Sequence, residues 1–327
     1  MLILEFIICS CVILIAGSKL SLYGDMISER TRFSSGFMGI FFLAIITSLP
    51  ELVTSRGSIS ESVNAPDIAF GDLVGAGILN IFYIALLGIV FKKGSLFTGQ
   101  HKSNIYTGYF TLLLLLITGG AIVMFHFFNL TIEIFNLNIG SILIGLCYLF
   151  GLIAIYKHGR RDASEAKKGE MNISLLAGFV ISAIAIIACG IWLAHIGKGI
   201  AVLYNLKEMS VGLILVAFAT TLPEVTVSYT ALKRNSHHMA VGNFLGSNFF
   251  NLFIIFILDA GFSKGSLFNY VSYNNLIPIS VSALITLIAI RAMLRKKKND
   301  GLISWDSTVI LSVFIIYIIA TFCLMQK

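Results

Sequence analysis

The chain is poor in charge. Asp, Glu, Lys and Arg make up 12% of its 327 residues, about half the share of a soluble domain. A water-soluble globular domain is excluded on that ground. Proline is scarce, with 4 in the whole chain, so no proline-rich linker divides it. The five cysteines (Cys9, Cys11, Cys147, Cys189, Cys323) all lie in apolar runs. They suggest neither a disulfide framework nor a zinc site. The histidines are scattered. What remains is hydrophobic: 57% of the residues, the composition of a membrane protein of many spans with no room for a separate soluble domain. The net charge of +7 lies in the connecting segments, where it reports orientation in a lipid bilayer rather than nucleic acid binding.

A span needs about 20 mostly apolar residues. Ten stretches qualify: 2–23, 34–57, 67–91, 104–126, 136–156, 173–197, 208–231, 239–262, 273–293 and 304–325. The first is read as a retained span rather than a signal peptide. Glu5 stands where a basic region belongs, and no small-residue cleavage site follows. The runs are too long and too evenly apolar for a β-barrel. Ten spans sort the Lys and Arg residues unevenly: eighteen fall in loops on one side, five on the other. The rich side is cytoplasmic by the positive-inside rule. The expectation is a multi-pass protein of the cell membrane with both termini extracytoplasmic and the 157–171 loop cytoplasmic.

One stretch occurs twice. Gly39 to Ser55 and Gly212 to Ser228 both read G-x4-A-x2-T-[ST]-L-P-E-x3-S without a gap. A second frame, G-[DN]-x2-G-x4-N, follows each: Gly71 to Asn80 and Gly242 to Asn251. The polar segment at 157–171 then separates a first half, 1–156, with its motif at 39–80, from a second, 172–327, with its motif at 212–251. Five spans is an odd number, so the second half enters the membrane upside down. The expected fold is all-α, with ten transmembrane helices as two inverted five-helix repeats.

The chemistry of the motif is that of an oxygen cage. A carboxylate inside an apolar span is costly, and points to function by default. Thr47 and Ser48 precede Glu51 by four and three residues, so all three share a helix face; Thr220, Thr221 and Glu224 repeat the pattern. Pro50 and Pro223 lack an N–H and free the carbonyls of Ile46 and Ala219. Such backbone is tolerated at membrane depth where it lines a cavity. Asn80 and Asn251 add amide oxygens, or instead hydrogen-bond helix to helix. No His, Cys or Met belongs to the set, and all-oxygen ligation with carboxylates suits hard cations such as Ca²⁺ and Na⁺. One divalent or two monovalent cations would neutralise the two acids. Asp72, about 12 Å from Asn80 along a helix, belongs either to a vestibule or to a solvated span end. Ser55 and Ser228 read as packing residues, and Asp259 and Glu5 as exposed near span ends. The bland reading, a proline kink with back-bonded hydroxyls, accounts poorly for two aligned copies.

With these two segments the chain closely resembles the sodium/calcium exchanger family of the calcium/cation antiporter superfamily. The resemblance implies that Glu51 and Glu224 are central ligands shared by Ca²⁺ and Na⁺, with Thr47 and Thr220 adding oxygens to the calcium position. It implies that Ser48 and Thr221 line flanking sodium positions with the carbonyls of Ala44 and Ala217. Asn80, Asn251 and Ser247 would complete the centre, and spans 1 and 6 would slide to alternate access. The chain departs from the family pattern at Ala76, Gly77, Thr221 and Asn251. The implied activity is Na⁺/Ca²⁺ antiport by a monomer with no cofactor beyond its transported ions. A proton-coupled antiporter of the same fold and a passive cation channel are the alternatives. An intramembrane enzyme is not expected, because no His-containing metal motif, Ser/Lys pair or paired-Asp constellation lies at span depth.

The charge asymmetry predicts topology directly. An alkaline phosphatase fused after Lys327 is expected to be active, and one inserted at 157–171 inactive. The reverse activities would invert the orientation.

Overall fold

The computed structural model describes residues 2–61, 63–134, 137–161, 173–203, 211–295 and 304–325. Most of the joint expected at 157–171 lies outside these residues. Ten helical segments run in order among the described residues: α1 (Leu2–Arg30), α2 (Ser35–Ser58), α3 (Pro66–Val90), α4 (Lys102–Phe128), α5 (Ile139–Arg161), α6 (Ile173–Leu203), α7 (Val211–Lys233), α8 (His237–Ala260), α9 (Leu276–Met293) and α10 (Trp305–Met325). They fall on the ten apolar stretches, with ends displaced by up to about two turns; α1 runs on through its polar end to Arg30. Eight segments are long and apolar enough to cross a membrane, and α10 contains a shorter apolar stretch, Trp305–Thr321. This is an all-helical membrane protein. Among the described residues the only strands are a two-residue antiparallel pair, Glu133–Ile134 and Leu137–Asn138.

The two copies of the proline motif fold differently. In α2 a π-helical stretch, Met38–Leu43, leads into a single α-turn, Ala44–Thr47. Ser48 then leaves the helix at φ −92°, ψ 3°, and a new helix, Leu49–Ser58, starts with Pro50 in its first turn. There the missing N–H needs no acceptor. In α7 the helix continues through Pro223. The sequence predicts a backbone break at both; a second helix starts only in the first copy. The π-turn upstream of Ser48 marks the local difference.

Glycines set how closely the motif helices approach. A Cβ on Gly246 would lie 2.4 Å from the Ile40 carbonyl oxygen, and one on Gly242 2.6 Å from that of Gly36. A Cβ on Gly39 would lie 2.3 Å from the Met239 oxygen. The α2 and α8 backbones therefore touch, which only small residues permit. Gly190 of α6 lies across both prolines: its Cβ would be 2.5 Å from Pro50 Cγ and 3.9 Å from Pro223 Cγ. α1 crosses α7 the same way, with Gly17 against Thr226 and Ser18 hydrogen-bonded to Thr230 at 3.1 Å.

α8, α3 and α2 are the most buried spans, and α1 and α6 are among the least. The outer helices present Leu4, Ile15, Leu116, Phe150, Ile181 and Ile316 outward, the apolar belt that a bilayer covers. Asp259 is buried, contrary to the exposed role expected from its place near a span end. Its two oxygens accept from the N–H groups of Asn138 and Leu267, at 3.1 and 2.5 Å. It thereby ties the β-strand pair and the chain after α8 to that helix.

Replacing Gly246 by Ala should force α2 and α8 apart and cost about 1–3 kcal/mol as an overpacking change. Gly120→Ala, at an exposed position with open space, should be neutral or slightly stabilising. Thermal unfolding of the two variants in detergent checks this; equal melting temperatures would refute the close packing.

Candidate cation-binding site

The close helix approach brings both motifs to one place. Glu51 and Glu224 are each 1% exposed and close enough to feel each other's charge. The contacts cross between the copies. The Thr220 hydroxyl lies against the Glu51 carboxylate, and those of Thr47 and Ser48 lie against the Glu224 carboxylate. Ser48 Oγ donates to Glu224 Oε1 at 3.4 Å. Ser247 of α8 also approaches Glu224, and its Oγ makes no full hydrogen bond.

Asparagines complete the cluster. Asn80 Nδ2 donates to Asn248 Oδ1 at 2.9 Å, and Asn248 Nδ2 donates to the Gly77 carbonyl, also at 2.9 Å. Asn80 Oδ1 and both polar atoms of Asn251 are buried without a hydrogen-bond partner. The helix-to-helix alternative thus applies to the Asn80 amide nitrogen, while its oxygen stays uncommitted.

The two glutamates differ from Asp25, Asp259 and Asp306. Asp259 has the donors described above. Asp25 pairs with Arg234 at 3.3 Å and accepts from Ser236. Asp306 accepts from Ser95 Oγ at 2.5 Å. By contrast Glu51 Oε2 and Glu224 Oε2 are buried with no hydrogen-bond partner. An unsatisfied buried polar atom costs roughly 1–3 kcal/mol, and more when it is charged. Native structures keep such groups where something else satisfies them. With the uncommitted oxygens of Asn80, Asn251 and Ser247, this is a donor-poor, oxygen-rich cluster. It can do one thing well, which is to hold a hard cation. Among the described residues no group of three or more His, Cys, Asp or Glu forms a metal cluster, so a softer ion finds no nitrogen or sulfur ligand set.

Other expected residues fall out unevenly. The Ala44 carbonyl already accepts from the Ser48 N–H at 3.0 Å and the Thr47 hydroxyl at 3.3 Å, so its lone pairs are engaged within α2. The side-chain surroundings of Ala217 lie outside the described residues. Asp72 is 4% exposed, not a solvated span end. It accepts from Ser55 Oγ at 3.5 Å and lies within electrostatic range of Glu51. Its counterpart Asn243 donates to Ser228 Oγ at 3.0 Å and to the Glu224 carbonyl at 3.3 Å. Ser55 and Ser228 are therefore hydrogen-bonded links between neighbouring helices, not simple packing residues. Two members were missed. Asn248 was visible as the amide facing Gly77 in the aligned copies. The Tyr83 phenol lies near the Thr221 hydroxyl; its signal was the spacing of three residues from Asn80, one helix face.

The family model of the sodium/calcium exchanger protein matches residues 1–157 and 174–323. The chain belongs to the sodium/calcium exchanger family. This exchanger is thus a multi-pass transporter of a family that exchanges cations, not an enzyme family. It is 26% identical over 298 residues to an uncharacterised membrane protein of Methanocaldococcus jannaschii, covering 90% of this chain and 89% of the relative. It is 29% identical over 127 residues to the sodium/calcium exchanger MaX1 of Methanosarcina acetivorans, covering 37% and 33%. Its fold matches that of the sodium-calcium exchanger NCX_Mj soaked with Na⁺ and no Ca²⁺, with a TM-score of 0.73 at 23% identity over 97% of this exchanger and 99% of that chain.

Neutralising either acid tests the cluster. Ca²⁺ is expected to raise the melting temperature of the wild-type exchanger, since a ligand that binds only the folded state stabilises it. Glu51→Gln and Glu224→Gln should each abolish that rise; a full rise in either variant would exclude that residue as a ligand.

Proposed function

We propose that the exchanger is a secondary active antiporter that moves Ca²⁺ against Na⁺ by alternating access. The observation that carries this reading is the pair of buried glutamates, each with one carboxylate oxygen free of hydrogen bonds. Two acids without a counter-charge are stable when a cation lies between them and costly when none does. One Ca²⁺ or two Na⁺ restores neutrality. A protein that is unstable empty and neutral with either load favours exchange over uniport.

In this reading Glu51 and Glu224 bind both ions. Thr47 and Thr220 add oxygens for Ca²⁺, Ser48 and Thr221 flank for Na⁺, and Asn80, Asn251 and Ser247 complete the centre. The Ala44 carbonyl contributes only by giving up one of its present bonds, and that of Ala217 is its partner in the second copy. Residues 1–156 and 172–327 form inverted halves joined by the cytoplasmic 157–171 loop, with both termini outside. The crossed contacts of Thr220 with Glu51 and of Thr47 and Ser48 with Glu224 support such a pseudo-two-fold arrangement. A single chain supplies every oxygen of the centre, which supports function as a monomer.

The counter-ion is settled by reconstitution. Vesicles containing the protein should take up Ca²⁺ when Na⁺ is loaded inside and absent outside. Uptake driven only by a matched pH gradient would replace Na⁺ with protons. Uptake without any counter-ion gradient, insensitive to Na⁺, would mean a channel.

A further inference from the structure

At the join of α9 and α10 the side chains form the reverse of the cation cluster, rich in donors and poor in acceptors. Arg291 lies in the last turn of α9. The N–H groups of Leu294 and Arg295 bond back to the carbonyls of Ile290 and Ala292, at 3.0 and 3.2 Å. The turn therefore continues, and Arg291 and Arg295 fall on one side of it. Trp305 opens α10. Both guanidinium groups lie over its indole ring, with Cζ 5.8 Å from the ring centroid for Arg291 and 4.4 Å for Arg295. Trp305 Nε1 is itself buried with no acceptor. The acid next to it, Asp306, is engaged by Ser95.

Both cations are held in place without an acceptor. A guanidinium over an aromatic face is attracted by the ring quadrupole and uses no donor, so its N–H groups remain. Among the described residues neither Arg291 nor Arg295 has an ion-pair or hydrogen-bond partner, and both are exposed. The sequence that follows adds Lys296, Lys297 and Lys298 against one acid, Asp300, and so keeps the local charge positive. Two positioned forks of this kind match the oxygens of a phosphate, which each can bind in bidentate fashion.

The place in the membrane selects the kind of phosphate. Arg291 ends one span and Trp305 begins the next, so the three side chains lie at headgroup level, where tryptophan is enriched. Leu287, one turn before Arg291, and Val309, one turn after Trp305, are 53% and 37% exposed. They continue the cluster into the apolar surface that lipid covers. We infer that Arg291, Arg295 and Trp305 form a binding site for the phosphate of an anionic phospholipid, whose acyl chains lie along Leu287 and Val309. A free phosphate ion would use the guanidinium groups but not this apolar extension. Such a site is independent of which ions the exchanger carries.

The chain has two tryptophans, so Trp192→Phe leaves Trp305 as a local reporter. In vesicles that mix brominated phosphatidylglycerol with plain phosphatidylcholine, and the converse, quenching of Trp305 gives the relative affinity of the two lipids at this place. Phosphatidylglycerol is expected to be preferred about five- to thirtyfold, the worth of one to two basic residues at a membrane surface. Arg291→Gln with Arg295→Gln should bring the preference to within about twofold of unity. Arg291→Gln alone, which leaves Arg295 on the ring, decides the case should the double variant fail to fold; it should lower the preference about two- to fivefold. Lys102→Gln with Lys157→Gln removes the same charge from exposed positions elsewhere and should leave the preference unchanged. No preference in the Trp192→Phe protein, a preference that survives loss of both arginines, or an equal drop in the lysine control overturns the inference. So does a preference abolished by inorganic phosphate added alone, since the ligand is then the free ion.

Discussion

The structure depends on two buried carboxylates with no basic side chain, among the described residues, in the contacts of either. Two like charges near one another repel, and the repulsion grows as the surrounding dielectric falls. Ordinary proteins avoid such a pair or surround it with donors. Three other buried acids follow that rule: Asp25 has Arg234 and Ser236, Asp259 has two backbone N–H groups, and Asp306 has Ser95. Glu51 and Glu224 depart from it together and in the same atom, Oε2. Matching departures at matching positions of a duplicated motif argue for a shared ligand rather than two separate defects.

Holding that pair in place needs close and rigid packing. Three glycine contacts set α2 directly against α8, and Gly190 lies across both prolines. The polar contacts then run between distant parts of the chain: Ser48 to Glu224, Asn80 to Asn248, Asn248 to Gly77. No one helix, and no one copy of the motif, carries a complete cluster. Such a site forms only when both parts are folded and docked. A cation bound there therefore stabilises the docking of one part on the other, and removing it strains the same contacts. Binding and helix arrangement are one equilibrium in this arrangement.

The helices were legible because hydrophobic run length is a direct physical requirement of the bilayer, and all ten runs became helices. The cluster was legible because acids, hydroxyls and prolines in apolar surroundings are rare. Their duplication also pointed to meeting across a pseudo-axis. What stayed hidden depended on partners outside the motif. Asp259 looked exposed from its place near a span end, but it caps N–H groups of Asn138 and Leu267, distant in sequence. Asp72 looked ambiguous until Ser55 was found beside it. The break at Ser48, absent at Thr221, has no counterpart in the local sequence, since both copies contain the same Leu-Pro-Glu; surrounding packing decides between a new helix and a continued one. Tyr83 was passed over because an aromatic residue in a span is ordinary until its hydroxyl is found beside a member of the cluster.

The two copies are alike at the centre and different at its edges. Thr47 and Thr220, Glu51 and Glu224, and Asn80 and Asn251 are identical pairs. Around them, Ala76 faces Ser247 in the alignment, Gly77 faces Asn248, Asp72 faces Asn243, and Tyr83 faces Ile254. Physical reasoning assigns the two classes different work. A symmetric centre of two carboxylates attracts any cation of sufficient charge, and discriminates weakly because charge falls off slowly with distance. Discrimination between ions comes from the number, angle and rigidity of neutral oxygens, and those are what vary at the edges. Gly77 illustrates the coupling: lacking a side chain, it leaves its carbonyl to the Asn248 amide, which in turn accepts from Asn80. One absent side chain in the first copy is thus answered by an asparagine from the second, and the amide oxygen of Asn80 stays available at the centre.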